Sequence, residues 1–141
     1  MAEQLFYPIS SVLGQGAMTA TRLANAKLRL FKDGFNPAFG VTLAELNAVE
    51  CDFDGYPAGG ITVPSWSNPF LGAGSGAQIT AGLLSFAFDG SGSGVTNLVG
   101  GFYLHTSDNV LWIVGQFPEG VPMQTPGVGM PIALSVGFGS E

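Results

Sequence analysis

Charge is what this sequence has least of. Lys, Arg, Asp and Glu make up 10% of its 141 residues, against about 25% in an average domain. A globule with so few ionic groups has little to keep its exterior wet, so part of that exterior is expected to be covered by protein. Disorder does not explain the shortage. Disordered chains combine high charge with low hydrophobicity, whereas 46% of this chain is hydrophobic. Cysteine is nearly missing as well. The single Cys51 excludes an intrachain disulfide framework and fits assembly in a reducing cytoplasm. One His and one Cys are too few for a zinc site, and no cofactor is expected. There is no Asn-x-Ser/Thr acceptor, and residues 1–15 contain Glu3 and Pro8 without the basic start of a secretory signal. The uncharged stretches 55–88 and 120–140 are broken by Gly, Pro and Ser. Neither reads as a transmembrane helix, and no membrane partner is expected.

Positive charge is absent from most of the chain. Arg22, Lys27, Arg29 and Lys32 are the four basic residues and fall within eleven positions, while nine acids and no Lys or Arg follow from Asp33 onward. An acidic body repels nucleic acid, and four cations do not outweigh it, so DNA or RNA is not an expected partner. The basic stripe has two readings. It is either a solvated strand face or a contact surface meeting an acidic patch on the next subunit, fixing partner and register rather than supplying most of the affinity. On the second reading Arg22, Lys27, Arg29 and Lys32 are the candidate interface residues. They are also the trypsin sites, so a cut among them is expected to leave an intact body from Asp33 onward.

What is present reads as strands. Residues 26–32 alternate charged and apolar side chains, the period of a half-buried strand. Asp33-Gly34 and Asn36-Pro37 punctuate a loop. Thr42 with Glu45 three positions later is a capping-box pattern ahead of Leu46 and Val49, the one short helix the sequence predicts. Residues 61–66 form a short strand weakened by Pro64. Residues 78–88 form a long one that runs into the glycine-rich connection 89–94. Residues 95–105 and 110–117 make a hairpin about the turn 106–109, and 130–138 alternate again. Short strands with turn signals and no sustained helical period predict an all-β fold, an antiparallel β-sandwich or a jelly-roll-like arrangement. The chain at this length is one domain. It divides into an apolar, aperiodic N-terminal arm at 1–25, expected to lie across a neighbour, and a single β-sandwich domain at 26–141.

Residues that could carry chemistry are few and isolated. His105 closes a predicted strand without sequence-local partners. Cys51 sits between Glu50 and Asp52, which raise a thiol pKa and blunt a nucleophile. An enzyme would need His105 and Cys51 to meet in a pocket, and none is expected. Asp52-x-Asp54-Gly55 lacks the later ligands of a calcium loop and reads as a turn. Gly72, Gly74 and Gly76 lack dinucleotide-loop spacing. The aromatics, Trp66, Trp112 and Tyr103 among them, read first as core. Their alternative is a carbohydrate- or receptor-binding platform, which requires Trp66, Trp112 or Tyr103 to cluster on the surface.

Three segments in order, Ala26-Lys27-Leu28-Arg29-Leu30-Phe31-Lys32, Thr42-Leu43-Ala44-Glu45-Leu46 and Asp52-Phe53-Asp54-Gly55-Tyr56, precede a Gly-Phe-Tyr-Leu hairpin at 101–111. Gln116-Phe117-Pro118 and Val121-Pro122-Met123 follow. This series, over about residues 26–138, resembles small β-rich virion-associated structural proteins of tailed bacteriophages and viral metagenomes. The resemblance implies a viral structural protein, a capsid decoration or cement protein or a tail or spike component, assembled in a host cytoplasm. Its implied partners are copies of itself, in a closed oligomer such as a trimer, and other virion proteins such as a major capsid protein. It carries no active site across.

Overall fold

The computed structural model describes residues 18–63, 66–68, 70–71, 77–90, 92, 94–127 and 129–138. In these residues the chain forms β1 (Ala26–Lys32), α1 (Leu43–Ala48), β2 (Ile61–Val63), β3 (Phe70–Leu71), β4 (Ala77–Ala87), β5 (Asn97–His105), β6 (Leu111–Met123) and β7 (Gly129–Phe138). Two antiparallel sheets result, β2-β1-β5-β6 and β3-β4-β7. They pack face to face as an all-β sandwich. A jelly roll in its full form has eight strands; the described strands are four and three.

Strand alternation decides which side chains enter the space between the sheets. Leu28 and Leu30 of β1 and Val99 and Leu104 of β5 point inward from the four-stranded sheet. Phe86, Ile132 and Leu134 meet them from β4 and β7. Burying a Leu, Val or Phe side chain contributes about 1.5–3 kcal/mol, so this layer supplies most of the drive to fold. The odd residues of β1 emerge on the other face of the same sheet, where α1 lies. Phe31 and Tyr103 are buried there against Leu46 of α1. Gly101 makes that packing possible. A Cβ at this position would stand 2.5 Å from the Phe31 ring and closer still to the Gly115 carbonyl.

Helix α1 forms where the capping box predicts it. The Thr42 hydroxyl accepts from the Glu45 amide at 3.2 Å, and the Glu45 carboxylate accepts from the Thr42 amide at 3.2 Å. Two first-turn amides are thereby satisfied in a helix too short to persist alone. Only the first three residues of β1 are flanked by β2. Beyond them its edge is closed by the chain after α1: Cys51 N–H donates to Leu30 O and Lys32 N–H to Val49 O, both at 2.9 Å, and Leu30 N–H reaches the Tyr56 hydroxyl at 3.1 Å.

Residues 1–17 of the expected arm lie outside the described residues. Residues 18–22 are helical, and Leu23 is fully buried in the inter-sheet core. Trp66 Nε1–H donates to the Leu23 carbonyl at 3.0 Å. Of the described part of the arm, Leu23 is thereby seated in the sandwich, while Met18, Thr21, Arg22 and Asn25 are exposed. The trypsin expectation also changes. β1 lies between β2 and β5, so the body from Asp33 onward would by itself lack an inner strand of this sheet.

Candidate interface residues and their partners

The four cations of the stripe have partners within their own chain. Arg22 forms a forked contact with Asp108 beside the turn of the β5–β6 hairpin, at 2.8 and 3.3 Å. Lys27 donates to the Thr62 hydroxyl on β2. Arg29 Nη1 lies 3.0 Å from Glu50 Oε1 and 3.3 Å from Asn47 Oδ1. Lys32 Nζ lies 3.3 Å from Asp52 Oδ1. The acidic patch that sequence reasoning assigned to a neighbouring subunit thus has a counterpart in this chain, supplied by Glu50, Asp52 and Asp108. These pairs join residues 20 to 86 positions apart, a proximity that no sequence spacing signals.

The pairs are not equivalent. Arg22 and Asp108 are 44% and 62% exposed, and Lys32 and Asp52 43% and 62%, whereas Arg29 and Glu50 retain 19% and 16%. Solvated pairs contribute about 0–1 kcal/mol each. The Arg29–Glu50 pair instead belongs to a half-buried polar cluster beneath α1. Tyr103 donates its hydroxyl to Asn47 Oδ1 at 2.7 Å, and Tyr56 donates to Glu50 Oε2 at 2.7 Å. Burial raises both phenols far above their ordinary range, so they stay protonated donors. The Tyr56 ring stacks on Phe86 of the opposite sheet at 5.6 Å and meets Phe53 edge-on at 5.3 Å. One side chain thereby ties this cluster to the inter-sheet core.

His105 is 1% exposed on the same face as Arg29 and Tyr103, in register with Lys27. Its Nδ1 lies 2.8 Å from the Thr106 carbonyl, an acceptor, so Nδ1 carries the proton and Nε2 is the acceptor nitrogen. That Nε2 and Arg29 Nε are buried without a protein partner among the described residues. Burial lowers the His105 pKa; the Thr106 carbonyl opposes this, and Arg29 reinforces it. Cys51 lies among the inter-sheet core residues. Its thiol is pushed up to about 12, first by burial, with Lys32 opposing and Asp52 and Glu50 adding. Cys51 thus belongs to the inter-sheet core, whereas His105 lies on the Tyr103 face of β5.

Asp52 and Asp54 also diverge. Asp52 pairs with Lys32 and accepts from Asn97 Nδ2 at 3.0 Å, and the Asn97 contact is the larger cause of its lowered pKa. Asp54 is buried and accepts from the amides of Gly94 and Val95 at 3.0 and 3.3 Å, tying down the connection between β4 and β5. No group of three His, Cys, Asp or Glu side chains is placed to hold a metal ion among the described residues. Of the residues an aromatic platform would need, Tyr103 is fully buried under α1. Trp66 is half-buried against the inter-sheet core, and Trp112 is 39% exposed at an irregularity in β6. Of the three, Trp112 alone is exposed. Gly72, Gly74 and Gly76 lie outside the described residues. Among the described residues, no helix is long and apolar enough to cross a membrane.

Compared with known proteins, the chain matches no family model, no curated protein and no solved structure.

Proposed function

We propose that this chain is a structural protein that assembles on or into a virus particle through protein–protein contacts, as a capsid decoration or cement protein or as a tail or spike component. The observation that carries the assembly reading is the combination of exposed apolar side chains with internally engaged cations. Phe39 is fully exposed on a turn closed by the Val41 N–H to Ala38 O hydrogen bond, and Leu83 is 70% exposed. Arg22, Lys27, Arg29 and Lys32 meanwhile have partners in their own chain. Such a surface has little with which to bind a charged ligand and much to gain by being covered. The virion part of the reading rests on the sequence resemblance described above.

On this reading the stripe acts chiefly inside the protomer, with Arg22 and Lys32 its more exposed members. A displayed receptor- or carbohydrate-binding module is the second reading. The half-exposed Trp112 favours it, and the burial of Tyr103 with the half-burial of Trp66 argues against it. Mass measurement by sedimentation, with negative-stain electron microscopy of the purified protein alone and mixed with particles, tests the proposal. Ordered oligomers or decorated particles are the expected result. A protomer that stays single and binds no particle, yet is retained on a glycan array, would replace the first reading with the second.

A further inference from the structure

The two outer faces of the sandwich differ in kind. The outer face of β2-β1-β5-β6 carries Lys27, Arg29, Tyr103 and His105, and α1 covers part of it. The strands of the other sheet, β3, β4 and β7, contain no charged residue. On its outer face Leu83 pairs with Ala133, Ser85 with Pro131 and Ala87 with Gly129. These residues are exposed, Leu83 by 70%. Gly82, at φ +79°, opens a bulge beside Leu83, and a Cβ there would meet nothing within 4 Å. The face is a low floor of small side chains with one large apolar knob.

We infer that this face, centred on Leu83, is where a second copy of the chain docks, sheet against sheet. The inference rests on the assembly reading above and adds the surface used. Two observations select a second copy as the occupant. The first is charge. Each copy carries a formal charge of −6, and its described acids, Asp33, Glu45, Glu50, Asp52, Asp54, Asp89, Asp108 and Glu119, all lie outside β3, β4 and β7. Like-charged bodies approach at least cost where neither presents an ion. The second is relief. A knob flanked by small residues is complementary to itself, because a two-fold axis sets each Leu83 over the low floor of the facing copy.

Size sets the strength. A ten-residue strand spans about 34 Å, and two strands present a width of about 10 Å. The two copies together thus cover roughly 700 Å², below the 1,000–1,200 Å² of a stable free dimer. The contact is weak between two free copies and effective when many are held side by side on a particle.

Sedimentation velocity over a concentration series into the high micromolar range tests this, with far-UV circular dichroism as the check on folding. The wild-type mass average should rise with concentration. Leu83→Glu and, independently, Ala133→Lys should abolish that rise while keeping the wild-type spectrum. Phe39→Ser, on the far side of the sandwich, should leave it unchanged. If the two face variants associate as the wild type does, the face is wrong while the assembly reading stands. If the wild type never self-associates but binds particles, and Leu83→Glu loses that binding, the occupant is another virion protein and the second-copy inference falls alone. A wild type that neither self-associates nor binds particles overturns both.

Discussion

Replacing Arg29 with Met separates a structural cation from an interface cation. Arg29 Nη1 bonds Glu50 and Asn47, and both members of the ion pair are less than one-fifth exposed. Met keeps much of the apolar stem and removes the charge, leaving the Glu50 carboxylate with the Tyr56 hydroxyl as its remaining described partner. Breaking a buried pair from one side costs about 3–5 kcal/mol, because the surviving charge stays desolvated. Set against a total stability of about 5–15 kcal/mol, that is a large fraction, and at this chain length it lowers Tm by roughly 10–15 °C. Removing the charge from both sides, in Arg29→Met/Glu50→Gln, leaves no orphan ion and should restore stability to within about 1–2 kcal/mol of wild type. Urea titrations of the wild type, both single variants and the double variant close the cycle. A loss below about 1 kcal/mol for Arg29→Met would give the pair the value of a solvated one and refute the idea of a half-buried cluster under α1. A practical consequence follows for the stripe: charge reversal at Arg29 reports folding before it reports assembly, so Lys27→Glu is the cleaner probe of a neighbour.

Three further outcomes are expected. His105 is buried with a lowered pKa, so the folded state resists a proton that the unfolded chain accepts below about pH 6.5. Stability should be level above that pH and fall on acidification, by at most about 1.4 kcal/mol per pH unit from this group. His105→Gln should flatten the slope of urea midpoint against pH between 5 and 7. Lys27, Arg29 and Glu50 are the charged groups near His105. The Cys51 thiol, pushed up to about 12, should react with a chromogenic disulfide at pH 8 only at the rate of unfolding; a fast stoichiometric reaction in the native state would contradict its burial. Trypsin should cut the native protomer within β1 no faster than it unfolds, because Lys27 and Arg29 sit in an inner strand. Rapid cleavage after either residue with the remainder still folded would show β1 to be dispensable.

Local chemistry made several elements legible. The alternation of residues 26–32 marks β1 because one face meets the core and the other meets solvent and α1. Thr42 and Glu45 mark the helix because a capping box is a contact between near neighbours. The hairpin was legible from the turn at 106–109, where Thr106 N–H donates to Val110 O at 2.9 Å and the Val110 amide donates to the Thr106 hydroxyl, also at 2.9 Å. The full length of β6 was not. Pro118, Gly120 and Pro122 read as strand breakers, yet the ladder passes from Gly101↔Gln116 to Val99↔Val121, letting the intervening residues leave the pairing before it resumes. β3, at two residues, is too short for a periodic signal. The partners of the basic stripe were hidden for a different reason: Arg29 meets Glu50, and Arg22 meets Asp108, through the placing of whole segments. Burial of Tyr103 and His105 likewise depends on α1 lying over β5, which the alternation of β5 alone does not reveal.

The inner position of β1 also orders events during synthesis. Leu28 pairs with Leu104, and Arg29 with Tyr103, so the first described strand to leave the ribosome gains its long neighbour only after most of the chain has been made. Pairings so distant in sequence close slowly. In the interval the nascent polypeptide exposes the uncharged strand β4 with only the two residues of β3 to pair it until β7 is made. Crowded polysomes making this protein are therefore where misassociation should be most severe, and a chaperone that shields nascent strands should raise its yield more than any change to the finished fold.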